Sequence, residues 1–355
     1  MKNYFNGSAM NQRITGLIFI LVILLIILVI VNISLGSVYI PFNKIISFLV
    51  GSSLEEKGWE NIILQFRMPK AITAVLVGSG LGVSGLLMQT LFRNPLAGPF
   101  VLGISSGASL GVAIAILAGM SFGTVITQLG IGGTWILTFS ASLGAFAVLS
   151  VVIIVSIKIR DSMSLLIIGL MFGSATGAIV SVLQFFSKAE SIQAYLIWTF
   201  GSLGGLTWEE LKLFIPVILL SLGWASTLSK PLNALLLGDQ YARSLGLNIR
   251  KTRLIIIIMT SLLAGTITAF CGPIAFIGIA IPHITRLLFN TANHKLLFPM
   301  VIICGAILML FCDIIAQIPG KEYTLPINAV TSVLGAPIVI WLVIRRRDFS
   351  KSFGA

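Results

Sequence analysis

The strongest constraint on this chain is a succession of apolar runs, each about twenty residues long and separated by short polar breaks. A run of that length matches the hydrocarbon thickness of a bilayer. Inside lipid the backbone must satisfy its own hydrogen bonds, which favours helices. The alternation expected of a barrel strand is absent. The sequence therefore predicts an all-α integral membrane protein with about ten spans, at 14–35, 63–92, 98–119, 134–157, 163–187, 212–229, 254–271, 273–289, 296–316 and 326–344. A shorter helix is expected near 191–202. Composition agrees: 57% of residues are hydrophobic and 10% charged, against about a quarter charged in soluble domains. The whole of 1–355 reads as a single transmembrane domain, and the first run reads as a retained span rather than a cleaved leader.

A net charge of +12 does not imply nucleic acid here. The basic residues are spread between spans, without a stripe of interleaved aromatics, and act as topology signals. With the N-terminus inside, sixteen of the 23 Lys and Arg fall on the inner side and seven on the outer. That bias predicts cytoplasmic termini. Small residues recur at four-residue spacing, as in Gly78 and Gly82, Gly103, Gly107 and Gly111, and Gly169, Gly173 and Gly177. Each row lies on one helix face and suits close helix packing. The row at 169–177 could also border a pathway. GPFVLGI at 98–104 and GPIAFIGI at 272–279 resemble one another, as members of an inverted repeat would.

Several chemistries are missing. There is no GxxxxGK[ST] phosphate loop, no HExxH and no paired metal ligands. Cys271, Cys304 and Cys312 lie in apolar runs and read as small hydrophobes. GISSG at 103–107 fits GxSxG, but in a Gly-rich helical run rather than at a strand-to-helix elbow. His294 is expected in a loop, and His283 as a packed histidine. Asp313 is the one acid inside a predicted span and reads as a hydrogen bond between helices rather than a proton relay. No cofactor, metal or catalytic residue is expected.

The polar stretch LLLGDQYARSLGLNIRKTR, 235–253, then needs a reason. Asp239 is placed to cap a short helix, Gly246 to end it in a left-handed turn, and Asn248 to cap the next span. A stiff two-turn helix at the cytoplasmic surface follows, suited to docking a partner.

Four stretches together resemble the FecCD-type permeases, the membrane subunits of type II ABC importers for ferric siderophores, haem and cobalamin. They are FRMPKAITAVLVGSGLGVSGLLMQTLFRNPLAGPFVLGISSGASLG (66–111), LLLGDQYARSLGLN (235–248), GPIAFIGIAIPHITRLL (272–288) and LPINAVTSVLGAPIVIWLVIRRR (325–347). The resemblance implies a ten-helix permease in a bacterial cytoplasmic membrane. Its implied partners are a second permease subunit, identical or paralogous, two cytoplasmic ATPases that hydrolyse the ATP, and an extracytoplasmic substrate-binding protein.

It also implies residue roles. Asp239, Gln240, Tyr241, Ala242, Arg243, Ser244, Leu245 and Gly246 form the segment that couples to the ATPase. Arg67 and Lys70, in RMPK, take the places of basic residues that dock the binding protein. Gln317 stands where a third is expected, and Lys321 is its nearest substitute. Asn94, Leu96, Ser162 and Met163 match the cytoplasmic gate, and Gly173, Ser174, Gly177 and Ser181 are expected along the pathway. The leading cargo is a ferric siderophore, with haem or cobalamin as alternatives. A proton-coupled secondary transporter and a passive membrane scaffold are the rival classes.

Overall fold

The computed structural model describes residues 2–36, 38, 40–51, 56–118, 131–159, 162–317 and 324–344. The chain begins with α1 (Lys2–Ser34), α2 (Phe42–Leu49) and α3 (Lys57–Ile62). A π-helical turn at Ile63–Arg67 joins α3 to α4 (Met68–Phe92). A 3-10 turn at Pro99–Leu102 leads into α5 (Ile104–Ala113), which ends in a second π turn, Ile114–Ala118. Then come α6 (Ile131–Lys158), α7 (Ser162–Phe185), α8 (Ala189–Thr199) and α9 (Trp208–Thr227). Two short helices follow, α10 (Ser229–Leu236) and α11 (Asp239–Ser244). The last four are α12 (Ile249–Cys271), α13 (Ile277–Phe289), α14 (His294–Ala316) and α15 (Ile327–Ile344).

Among the described residues, seven helices are long and apolar enough to cross a membrane, and three shorter apolar helices accompany them. Together they account for the ten expected spans. Two of the short ones correct the sequence reading. The expected span 98–119 is broken at Gly103, whose φ of +74° admits glycine readily. The expected span 273–289 becomes helical only at Ile277, because Phe276 takes a φ of +65°. These breaks fall in GPFVLGI and GPIAFIGI, and the two stretches meet: Gly98 lies against Ile279 and Gly278 against Pro99.

At the centre stands α4, buried on nearly every side, with α1, α9, α12, α13 and α14 packed around it. Lipid offers helices little hydrophobic reason to associate, so close approach must come from small residues. Gly78 faces Gly305 of α14 so closely that an added methyl would overlap its carbonyl oxygen. Gly85 meets the Gly278 carbonyl in the same way. Gly107 and Gly111 hold α5 against Ser140 and Gly144 of α6.

The row at 169–177 is not one contact. Gly169 presses on the Val101 carbonyl, Gly173 approaches only the Ser106 hydroxyl, and Gly177 faces open space.

Candidate functional site

The polar stretch folds as a clipped peg. α10 buries Leu232 and Leu235. The chain then turns at Gly238, with φ +112°, into α11. Gly246 has φ +83°, and two bonds close the helix end: Gly246 N–H to the Arg243 carbonyl at 2.9 Å and Leu247 N–H to the Ala242 carbonyl at 3.0 Å. This pair is the Schellman arrangement, which satisfies carbonyls that a helix end leaves open. The Asn248 side chain accepts from Lys251 N–H at 3.1 Å and caps α12. Both expectations made for Gly246 and Asn248 hold.

The expectation for Asp239 does not. Gly238 occupies the N-cap, and Asp239 makes no capping bond. Its carboxylate instead joins two cations, Arg93 at 2.8 Å and Arg253 at 2.7 Å. Arg93 ends α4 in a left-handed conformation, φ +46°, and its Nε also donates to the Leu235 carbonyl at 3.1 Å. The peg is thereby tied to α4 on one side and α12 on the other. Ala242 is buried beneath it, while Leu237, Tyr241 and Leu245 are exposed at four-residue spacing. Gln240, Arg243, Ser244 and Gly246 are exposed as well.

Behind the peg lies a buried polar knot that the sequence reading missed. His294 opens α14 rather than lying in a loop, and it is fully buried. Its ring contacts Thr90 Oγ1 of α4 and Asn233 Oδ1 of α10, each at 2.8 Å, and its backbone N–H donates to Asn233 Oδ1 at 2.9 Å. Asn233 in turn donates to Asn293 Oδ1 at 3.0 Å. This knot fixes α10, and hence the peg, to two long helices.

The remaining predicted residues divide. Asn94 and Leu96 follow α4 directly, beside Arg93, and Asn94 Oδ1 accepts from Leu96 N–H at 3.0 Å. Ser162 begins α7 and Met163 is exposed. Ser174, Gly177 and Ser181 share an exposed α7 face with Met163, Ile167, Leu170 and Met171, and Gly173 lies at its edge. The Ser174 and Ser181 hydroxyls bond back to their own helix, on Leu170 and Gly177.

Two expected docking cations are engaged inside the chain. Arg67 is 7% exposed, and its guanidinium donates to the carbonyls of Ile33, Ser34 and Val38. Lys70 lies 3.1 Å from Asp313, whose other oxygen accepts from Asn32 at 2.8 Å and Gln317 at 2.7 Å. Asp313 thus bonds between helices, as expected, and Gln317 completes that cluster. At the positions expected to dock a binding protein, Arg67 and Lys70 thus also make contacts within the chain. Lys321 lies outside the described residues.

Among the described residues no cluster could hold a metal ion. Compared with known families, residues 24–345 match the model of the FecCD transport family. The chain belongs to that family. A FecCD relative from Klebsiella pneumoniae subsp. pneumoniae, the vitamin B12 import system permease protein BtuC, is 36% identical over 84% of this chain and 86% of its own length. BtuC of Photorhabdus laumondii subsp. laumondii is also 36% identical, over 81% and 83%. A solved metal-chelate type ABC transporter in an inward-facing conformation matches with a TM-score of 0.80 and 30% identity, covering 93% of this chain and 99% of that one. The chain is an ABC importer permease with the type II fold.

Proposed function

We propose that this permease carries a bulky metal chelate into the cytoplasm, driven by ATPase subunits that grip α11. The observation supporting this reading most directly is the construction of the peg. It is closed at its end by a Schellman turn, bound by Asp239 to α4 and α12, and presents Leu237, Tyr241 and Leu245 outward. A connecting loop needs no such fixation. A lever that passes motion from a soluble partner into long helices does.

In this reading both termini and α11 face the cytoplasm of a bacterial inner membrane. The exposed face of α7 meets a second permease copy or paralogue across the pathway. Residues Asn94, Leu96, Ser162 and Met163 gate its inner end, while Gly173, Ser174, Gly177 and Ser181 border it. A substrate-binding protein docks at the other end, where Lys321 supplies charge.

A ferric siderophore is the first cargo to test. Cobalamin is the second reading, favoured by the names of the BtuC relatives, and haem the third. All three are metal chelates, and the exposed α7 stretch from Met163 to Phe185 carries no formal charge, which suits a cargo that passes without tight binding.

The test is reconstitution with the ATPase and binding protein, followed by uptake of radioiron siderophore, radiocobalt cobalamin and haem with and without ATP. ATP-dependent uptake that disappears in Tyr241→Ala with Leu245→Ala supports the reading. Uptake driven by a pH gradient without ATPase overturns it in favour of a secondary transporter, and ATPase capture without any flux in favour of a scaffold.

A further inference from the structure

Helices α6 and α12 pack side by side, and two openings lie on the one seam between them. Where the seam nears α11 it opens into a cleft of about 690 Å3, walled by Ser156 and Ile159 from the α6 end and by Arg243, Arg250, Lys251 and Arg253. Further along, a smaller opening of about 170 Å3 lies between Ala145, Phe146 and Leu149 of α6 and Leu262, Gly265 and Phe270 of α12. The first is cationic, and the second is mainly apolar and uncharged, with Ser142, Ser261 and Thr266 also in its lining.

The spacing between them is informative. From Ser156 back to Leu149, or from Arg253 on to Leu262, a helix rises roughly 10–14 Å at ~1.5 Å per residue. The near edge of the second opening thus lies in the same leaflet as the cleft, within half of a hydrocarbon core of about 30 Å, and its far edge, at Ser142 and Phe270, lies about 21–26 Å along, past the midplane. The cationic one lies at the membrane surface and the apolar one at acyl-chain depth.

Of these four cations, Arg253 is paired with Asp239. Asp239 is already held between Arg93 and Arg253. Among the described residues, Arg243, Arg250 and Lys251 form no ion pair. Three clustered positive charges repel one another, and an anion between them relieves that repulsion. A small anion would satisfy the cleft but leave the apolar opening unexplained. An amphiphile with an anionic head and a hydrocarbon tail accounts for both.

We propose that the α6/α12 seam is a binding site for an anionic phospholipid. Its phosphodiester sits among Arg243, Arg250 and Lys251, and one acyl chain lies in the opening floored by Gly265 and walled by Phe146 and Leu149. The bound lipid braces the start of α12 beside the peg. This inference does not depend on which cargo is carried.

Native mass spectrometry of the full chain in detergent tests it, with phosphatidylglycerol, phosphatidylcholine of the same acyl chains, and inorganic phosphate as probes. Phosphatidylglycerol should be retained over phosphatidylcholine by about tenfold or more. Each cation removed should weaken it about fivefold, so Arg250→Gln with Lys251→Gln should bring it close to phosphatidylcholine. Ser142→Phe provides a second arm that spares the charges. Ser142 is exposed beside the apolar opening and bonds only to its own helix, so the ring should crowd out the acyl chain and weaken retention severalfold.

Equal retention of the two lipids, or retention of phosphatidylglycerol unmoved by all three substitutions, overturns the proposal. Displacement of phosphatidylglycerol by equimolar inorganic phosphate assigns the cleft to a free anion and overturns it too. So does loss of ATPase capture in the Arg250→Gln, Lys251→Gln variant with lipid retention intact, since the cleft is then a protein contact.

Discussion

Asp239, in the first turn of α11, lies 2.8 Å from Arg93, the residue that ends α4. The proposed gate segment begins at the next residue, Asn94. One ion pair therefore joins the surface proposed to meet the ATPase to the end of the central helix. The pair is about one-third exposed on both sides, so it adds only about 0.2–1 kcal/mol to stability. Its value lies in direction rather than strength.

Asp239→Ala should accordingly leave the melting temperature within a few degrees of wild type and still capture the ATPase. Uptake per ATP hydrolysed should fall severalfold, because the peg can move without carrying α4. The reciprocal exchange, Asp239→Arg with Arg93→Asp, should recover part of that ratio, and Arg93→Asp alone should not. A ratio unchanged in Asp239→Ala would leave the ion pair without a coupling role.

The polar cluster at the other end of α4 makes a different prediction. Asp313 is buried and paired with Lys70. Asp313→Asn leaves that ammonium without its counter-charge, so it should cost about 3 kcal/mol, near the low end for a broken buried pair because Lys70 keeps some contact with water. Asp313→Asn with Lys70→Met should recover most of the loss in detergent unfolding. Transport by any Asp313→Asn protein that folds should show no change in pH-gradient dependence. A change would revive the proton-coupled reading.

The glycines separate in the same way. Gly78→Ala forces α4 and α14 apart at Gly305 and should cost about 3 kcal/mol, the upper end for overpacking. Gly177→Ala meets nothing within 4 Å and should stay within about 0.5 kcal/mol of wild type. Thermal unfolding of the two proteins compares them directly. An effect of Gly177→Ala on uptake alone would mark that face as part of the pathway.

How far the sequence carries depends on the range of each interaction. Membrane thickness alone sets the spacing of apolar runs, so the approximate number of spans is legible. Capping is local, so Gly246 and Asn248 announce the end of α11 and the start of α12. Asp239 misleads because its partner Arg93 lies 146 residues away, beyond any local pattern, and a capping role is the nearest local substitute. His294 and Asn233 escape notice for the same reason. The breaks at Gly103 and Phe276 are hidden because apolar character continues through them.

Arg67 has a structural role beside the docking role that the family resemblance implies for it. In the fold it serves α1, whose last carbonyls at Ile33 and Ser34 have no intrahelical partner and each accept from the guanidinium at 2.8 Å, with Val38 as a third acceptor. A cation at a helix C-terminus also suits the helix dipole. Arg67→Ala should therefore destabilise the permease by about 3 kcal/mol through lost charge-assisted hydrogen bonds. Arg67→Lys should recover less than half of that, because an ammonium cannot reproduce the planar fork that spans three carbonyls. If Arg67→Lys proves as stable as wild type while Arg67→Glu weakens capture of the binding protein in a salt-dependent way, the docking role stands alone, and the contacts at the end of α1 are incidental.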